Sequence, residues 1–97
     1  MYNLKYLPSA DLDMIEAEEY LYNHSPPAAD KLADAIKKQA SNLLDYPLMY
    51  PVYEKRPYFR VMPLPFDYLC LYHVDEGSKM VEIHRILRGF RDIVNII

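Results

Sequence analysis

Between the Pro26-Pro27 pair and Pro47, the chain places Ala29, Leu32, Ala33, Ile36, Ala40, Leu43 and Leu44 at i, i+3, i+4, i+7, i+11, i+14 and i+15. This spacing predicts a helix of about four to five turns with a single apolar face. Such a face must lie on something, so the pattern constrains the rest of the chain. Pro27 suits the first helical turn, where a missing N–H costs nothing, and Pro47 lies beyond the end. A second helix precedes it, from about Ala10 to Tyr22. Ser9 is placed to cap it, and Asp11 and Asp13 favour its positive end. Leu12, Ile15 and Tyr22, with Met14 and Leu21, are expected to form its buried stripe, and Glu16, Glu18 and Glu19 its solvated face. Only Asn23-His24-Ser25-Pro26-Pro27 separates the two helices, so they form an antiparallel hairpin.

The flanking segments read as strands. Tyr2, Leu4 and Tyr6 alternate with Asn3 and Lys5, the period of a half-buried strand, and Pro8 ends it. Tyr58 to Met62 predicts a second strand. Tyr68 to Val74, apolar on both faces, predicts a central third, and Lys79 to Leu87 a fourth after the turn Asp75-Glu76-Gly77-Ser78. Tyr46, Tyr50 and Tyr53, among Pro47, Pro51 and Pro57, mark an extended crossing whose tyrosines call for burial. Phe90 to Ile97 predicts one or two helical turns. The fold class is therefore α+β: one domain over residues 1–97, with a helical hairpin on one face of a small, largely antiparallel sheet and the other face open.

Composition narrows the function classes. No apolar run approaches the ~20 residues that cross a bilayer, so no membrane partner is expected. Met1-Tyr2-Asn3-Leu4-Lys5 lacks the blocks of a signal peptide, and a cytosolic location is expected. Gly77 and Gly89 are the only glycines, which excludes a glycine-rich phosphate loop. Cys70 is a single thiol among Leu69, Leu71 and Tyr72, a setting for a buried small hydrophobe. His24, His73 and His84 share no ligand spacing, so neither metal nor cofactor is expected.

The net charge of −3 conceals an asymmetry. Residues 1–54 carry four Lys against nine acids, whereas residues 55–97 carry seven basic residues against five acids, and five of the seven are Arg. Guanidinium groups bind carboxylate or phosphate in bidentate fashion, so an anion-facing surface on the open sheet face is expected. Its candidates are Arg60, Tyr68, Tyr72, His84, Arg85, Arg88 and Arg91. Together such residues could hold a phosphate, stabilise a phosphorane and stack a base. Each has a structural alternative. Tyr68 and Tyr72 also suit the core, His73 and His84 also suit satisfied strand positions, Arg85 has Glu82 or Asp92 within reach, and Arg91 could neutralise the tail.

Several segments, in order, resemble the RelE/ParE family of bacterial toxins. They are Tyr2 to Ala10 with Asp11-Leu12, Pro27-Ala28-Ala29, Leu43-Leu44-Asp45-Tyr46-Pro47, Tyr58-Phe59-Arg60-Val61, Tyr68-Leu69-Cys70-Leu71-Tyr72, and Ile83 through Asp92. The resemblance implies the same element order and the toxin role of a type II toxin–antitoxin pair. It also implies a cognate antitoxin, whose otherwise disordered segment lies across the toxin, and operator DNA bound only by the complex. RelE-like members cleave mRNA on the ribosome; ParE-like members inhibit DNA gyrase. For cleavage the resemblance matches Arg60 to a basic strand position and Gly89-Phe90-Arg91 to the Gly-x-Arg after the last strand; with Tyr72 from the basic and aromatic group, Arg60 and Arg91 are the catalytic candidates, and Tyr68, His84, Arg85 and Arg88 the binding candidates. The RelE pattern departs at Leu69, where an Arg is expected, and at Asn95, Ile96 and Ile97, where an aromatic or His group is expected. Arg85 to Asp92, with Gly89-Phe90-Arg91, is closer to the ParE pattern, although Arg88 stands where that pattern often has His. The expectation is a ParE-like toxin that blocks gyrase by binding. An mRNA endonuclease and a catalytically silent antitoxin-binding module are the alternatives.

Overall fold

The structure, a computed structural model, describes residues 1–89 and residue 93. The expected helical tail falls outside the described residues, except for Ile93. The elements are β1 (Asn3–Tyr6), α1 (Pro8–His24), α2 (Pro26–Asn42), β2 (Arg60–Pro63), β3 (Tyr68–Asp75) and β4 (Met80–Arg88). The strands form one four-stranded sheet in the order β1-β4-β3-β2. β1 runs parallel to β4, with Leu4 opposite Val81 and Tyr6 opposite Ile83, and the remaining pairs are antiparallel. The parallel pairing follows from the connection: the helical hairpin and two further strands intervene, and only a crossover that long permits it.

Both helices start earlier than their apolar patterns suggest, because proline presets φ for the first helical turn. Pro8 opens α1, and Ser9 sits inside that turn instead of capping it. The Ser9 hydroxyl donates to the carbonyl of His84 at 2.8 Å. Ser25 alone separates the helices. Its extended backbone, φ −163°, both ends α1 and begins α2, which forces the antiparallel hairpin.

α2 buries Ala28, Ala29, Leu32, Ile36 and Ala40, much as its periodicity predicts. α1 behaves differently. Ala10, Asp13, Ala17 and Leu21 face inward, whereas Leu12, Ile15 and Tyr22 of the expected stripe are exposed. Small side chains let α1 lie close to the sheet, and that contact decides which face is buried.

β3 is central and buried on both sides from Tyr68 to Tyr72. Cys70 and Tyr72 face the helices in a core that includes Leu32, Ile36, Met62 and Ile83. Burial pushes the Cys70 thiol pKa well above the usual range. The opposite face is not open. Val61, Leu69, Leu71, Leu87 and Ile93 form a second apolar cluster there, with Tyr53 and Phe59 packed against it. The proline-rich crossing also closes the outer edge of β2. Val52 bridges Arg60, the Val61 N–H donates to the Pro51 carbonyl, and Gln39 donates to the Pro63 carbonyl. Of its tyrosines, Tyr50 packs on the core while Tyr46 remains exposed, contrary to expectation.

Candidate binding cleft between the first helix and the last strand

The β3–β4 ladder slips by one residue. Leu71 pairs with Arg85 but Tyr72 pairs with Ile83, leaving His84 without a cross-strand partner. A bulge of this kind turns successive side chains out of alternation. Ile83 and Ile86 both enter the core under the helices, His84 projects from the other face, and Arg85 turns toward α1. Bulges also release backbone groups from the ladder, and polar side chains of α1 take them up. Ser9 donates to the His84 carbonyl, and the Ile86 N–H donates to Asp13 Oδ2 at 3.0 Å.

Asp13 is the only charged residue among those described that is buried. Arg85 grips it with both arms of its fork, Nε to Oδ2 at 2.7 Å and a terminal nitrogen to Oδ1 at 3.1 Å. That carboxylate raises the Arg85 pKa above its ordinary value. The sequence-based partners Glu82 and Asp92 are therefore not the ones used. Glu82 is a neighbour along the same strand and instead accepts from His84 Nε2 at 3.1 Å.

Between α1 and the end of β4 lies a cleft of about 370 Å³ lined by Asp13, Glu16, Tyr20, Tyr68, Arg85 and Arg88, among others. The Arg88 guanidinium carbon lies 4.6 Å from the centre of the Tyr20 ring. The Tyr20 side chain is the main cause raising the Arg88 pKa, and the cation rests on the negative face of its ring. The cleft holds two acids and two arginines, and its inner pair is self-satisfied. Arg88 is left as the exposed cation on an aromatic wall. Such a surface fits one carboxylate or hydrogen-bonding side chain of a protein partner better than a run of phosphates.

Other candidates are dispersed. Tyr72 is fully buried; its hydroxyl donates to the Pro47 carbonyl at 2.9 Å, and burial pushes its pKa up to about 12. Arg60 does not join the other arginines, because it donates to the Tyr50 carbonyl at 2.7 Å and so ties down the proline-rich crossing. Tyr68 reaches the cleft wall but is itself buried in the core. Arg91 lies outside the described residues. The expected arginine-bearing open face is thus absent among the described residues: Arg85 and Arg88 turn to α1, and Arg60 to the crossing.

His84 stands on the far face with His73, expected only as a satisfied strand residue, and with Tyr58 and Phe59, which were not among the candidates. Tyr58 stacks on His73 at 3.7 Å between ring centres and 6° between planes, and His84 meets Tyr58 and Phe59 edge-on. His73 Nδ1 donates to the Tyr58 carbonyl at 2.9 Å. Partial desolvation, then Glu82 and Asp75, raise the Tyr58 pKa. Among the described residues no group of three His, Cys, Asp or Glu side chains is arranged to hold a metal, and no helix is long and apolar enough to cross a membrane. The overlooked cleft residues had a weak signal. Asp13 interrupts the apolar series Ala10, Ala17 and Leu21 at helical spacing, where a carboxylate needs a buried partner.

A family model described as "ParE toxin of type II toxin-antitoxin system, parDE" matches residues 4–93. The chain belongs to the ParE toxin family. A solved structure, "Chromosomal ParDE TA system from P. aeruginosa", superposes with a TM-score of 0.76 at 22% identity, covering 92% of this chain and 97% of that one. Comparison with curated proteins finds no match. The α1–β4 cleft of this ParE toxin uses the Arg85 to Arg88 segment that carries the ParE resemblance. As a ParE-family member, the chain is the toxin type of a type II toxin–antitoxin system.

Proposed function

We propose that this ParE-family toxin inhibits growth by binding DNA gyrase, and that a cognate antitoxin encoded beside it holds it inactive. The carrying observation is the charge-balanced cleft between α1 and β4, where Arg88 rests on Tyr20 beside the satisfied Asp13–Arg85 pair. A surface of that kind recognises protein. Of the residues that would serve RNA cleavage, the two that are described are committed elsewhere, Tyr72 to Pro47 and Arg60 to Tyr50. Contact with operator DNA is assigned to the toxin–antitoxin complex, because the chain alone has a net charge of −3.

The second reading, ribosome-dependent mRNA cleavage, draws on the far face. There His73, His84 and Glu82 lie beside the exposed Tyr58 ring, a group able to move protons and stack a base.

Expression of the chain alone, with and without the neighbouring gene, separates these readings. Gyrase-linked DNA breaks and an SOS response, relieved by the neighbour, are expected. Rapid cleavage of ribosome-bound mRNA would replace this reading with the second. Absence of any growth defect would sink both and leave a silent antitoxin-binding module.

A further inference from the structure

The proline-rich crossing between α2 and β2 carries an apolar surface that the fold does not use. Five of the eleven large apolar side chains exposed among the described residues lie between Tyr46 and Tyr58. Leu48, Val52, Pro57 and Tyr58 surround a single hollow of about 190 Å³, with Arg60, His73 and Glu76 among its other walls. Leu48, Met49 and Tyr58 are 49%, 52% and 54% exposed. The backbone beneath them is pinned at three points: Arg60 donates to the Tyr50 carbonyl, Tyr72 donates to the Pro47 carbonyl, and Val52 bridges Arg60. Single exposed apolar residues are ordinary, but several around one hollow on a fixed backbone form a surface that can be covered at little cost in conformational freedom.

Charge selects the occupant. The charges at this rim are balanced, Glu54, Asp75 and Glu76 against Lys55, Arg56 and Arg60. A two-fold axis lays one patch against its own copy, and a balanced rim can then set each sign opposite the other. α1 shows the contrast. It carries five acids and neither Lys nor Arg, so its exposed Leu12 and Ile15 could meet their own copies only by confronting like charges. We propose that this chain forms a symmetric dimer through the proline-rich crossing, with Leu48, Met49 and Val52 of each copy packed on the hollow of the other. The unbranched thioether of Met49 suits a hollow of irregular shape. Pairing covers Tyr58 and the His73 ring stacked on it, so the far-face group is closed to a base while the copies stay together. The α1–β4 cleft shares no lining residue with the hollow and lies outside the interface. The dimer is therefore independent of which target the toxin has.

Analytical ultracentrifugation of the purified full chain tests this. The mass should rise from 11.5 kDa toward twice that value as the concentration rises from about 1 to about 100 μM. The double variant Leu48→Glu, Met49→Glu changes two exposed side chains, and it should keep the thermal midpoint while holding the chain at the monomer mass over that range. The pair Leu12→Glu, Ile15→Glu, on the other exposed apolar face, should dimerise as the wild type does. Oxidation of methionine by hydrogen peroxide, followed by mass spectrometry, reports on the wild-type chain without any variant. Met49 should react severalfold more slowly once the dimer forms, whereas Met1, 94% exposed, should react at the same rate throughout. A wild-type chain that stays monomeric at about 100 μM overturns the inference. So does a dimer that survives Leu48→Glu, Met49→Glu, one that is broken by the α1 pair, or one in which Met49 reacts as fast as in the monomer.

Discussion

Asp13 and Arg85, 72 residues apart, form a bidentate pair that joins the first turns of α1 to the bulge of β4. The same carboxylate accepts the Ile86 N–H, so one side chain satisfies a guanidinium and a backbone donor that the bulge has released. The pair is partly shielded, with Asp13 nearly buried and Arg85 about one quarter exposed.

Removal of that carboxylate is therefore expected to be costly. Asp13→Ala leaves both donors unpartnered and should destabilise the fold by about 2–4 kcal/mol. Thermal denaturation should show a fall of roughly 10–20 °C for a domain of this size. Asp13→Asn, which keeps an acceptor, should lose less. An unchanged midpoint for Asp13→Ala would mean that the pair contributes nothing.

Arg88 gives the complementary case, because it is exposed and rests on Tyr20. Arg88→Ala should leave stability within about 0.5 kcal/mol while relieving growth inhibition. Retained toxicity in a variant expressed at wild-type level would remove the cleft from the binding surface.

Tyr72 predicts an alkaline signature. Its folded pKa, about 12, lies above the ordinary value of 10.0, so its contribution to stability is complete below about pH 10. Between about 10 and 12 the unfolded chain loses the proton first, and stability falls. Phenolate absorbance should show one tyrosine ionising with a midpoint near 12 or only on unfolding. Tyr72→Phe removes the bond to the Pro47 carbonyl at a cost of about 0.5–1.5 kcal/mol, and it should leave toxicity intact. Abolished toxicity in folded Tyr72→Phe would restore the hydroxyl as a functional group.

Phe66 holds φ at 61° in the turn between β2 and β3, with its side chain 42% exposed. A left-handed backbone costs a bulky residue about 1 kcal/mol or more that glycine avoids. Phe66→Gly should raise the thermal midpoint by a few degrees. A fall would show that the ring contributes more packing than the backbone conformation costs.

Local periodicity made most of the fold legible. The α2 stripe, the two-sided β3 and the hairpin turn before β4 each rest on patterns within a few residues, and proline and glycine mark their ends. α1 was misread for a physical reason. Its apolar residues occupy two faces, and only its approach to the sheet selects the one with the smaller side chains. Burial of Leu12 and Ile15 was the local expectation; close packing of Ala10 and Ala17 prevailed.

The candidate site was legible as a set of residue types and not as an arrangement. Arg85, Arg88 and Tyr68 meet in one cleft, but the bulge at His84 sends that histidine to the opposite face, next to His73 and Tyr58. No pattern in β4 announces the bulge, because it depends on how β3 pairs with it.

By itself, then, the sequence determined the kinds and order of elements, the helical hairpin and the arginine-bearing half, since these follow from nearest neighbours along the chain. Only the tertiary structure decided which face of α1 meets water, that Asp13 holds Arg85, and that Tyr72 and Arg60 are committed to the crossing. Those outcomes depend on burial and on hydrogen bonds between residues 10 to 75 positions apart, where the desolvation of one group is offset by a partner that no local pattern encodes.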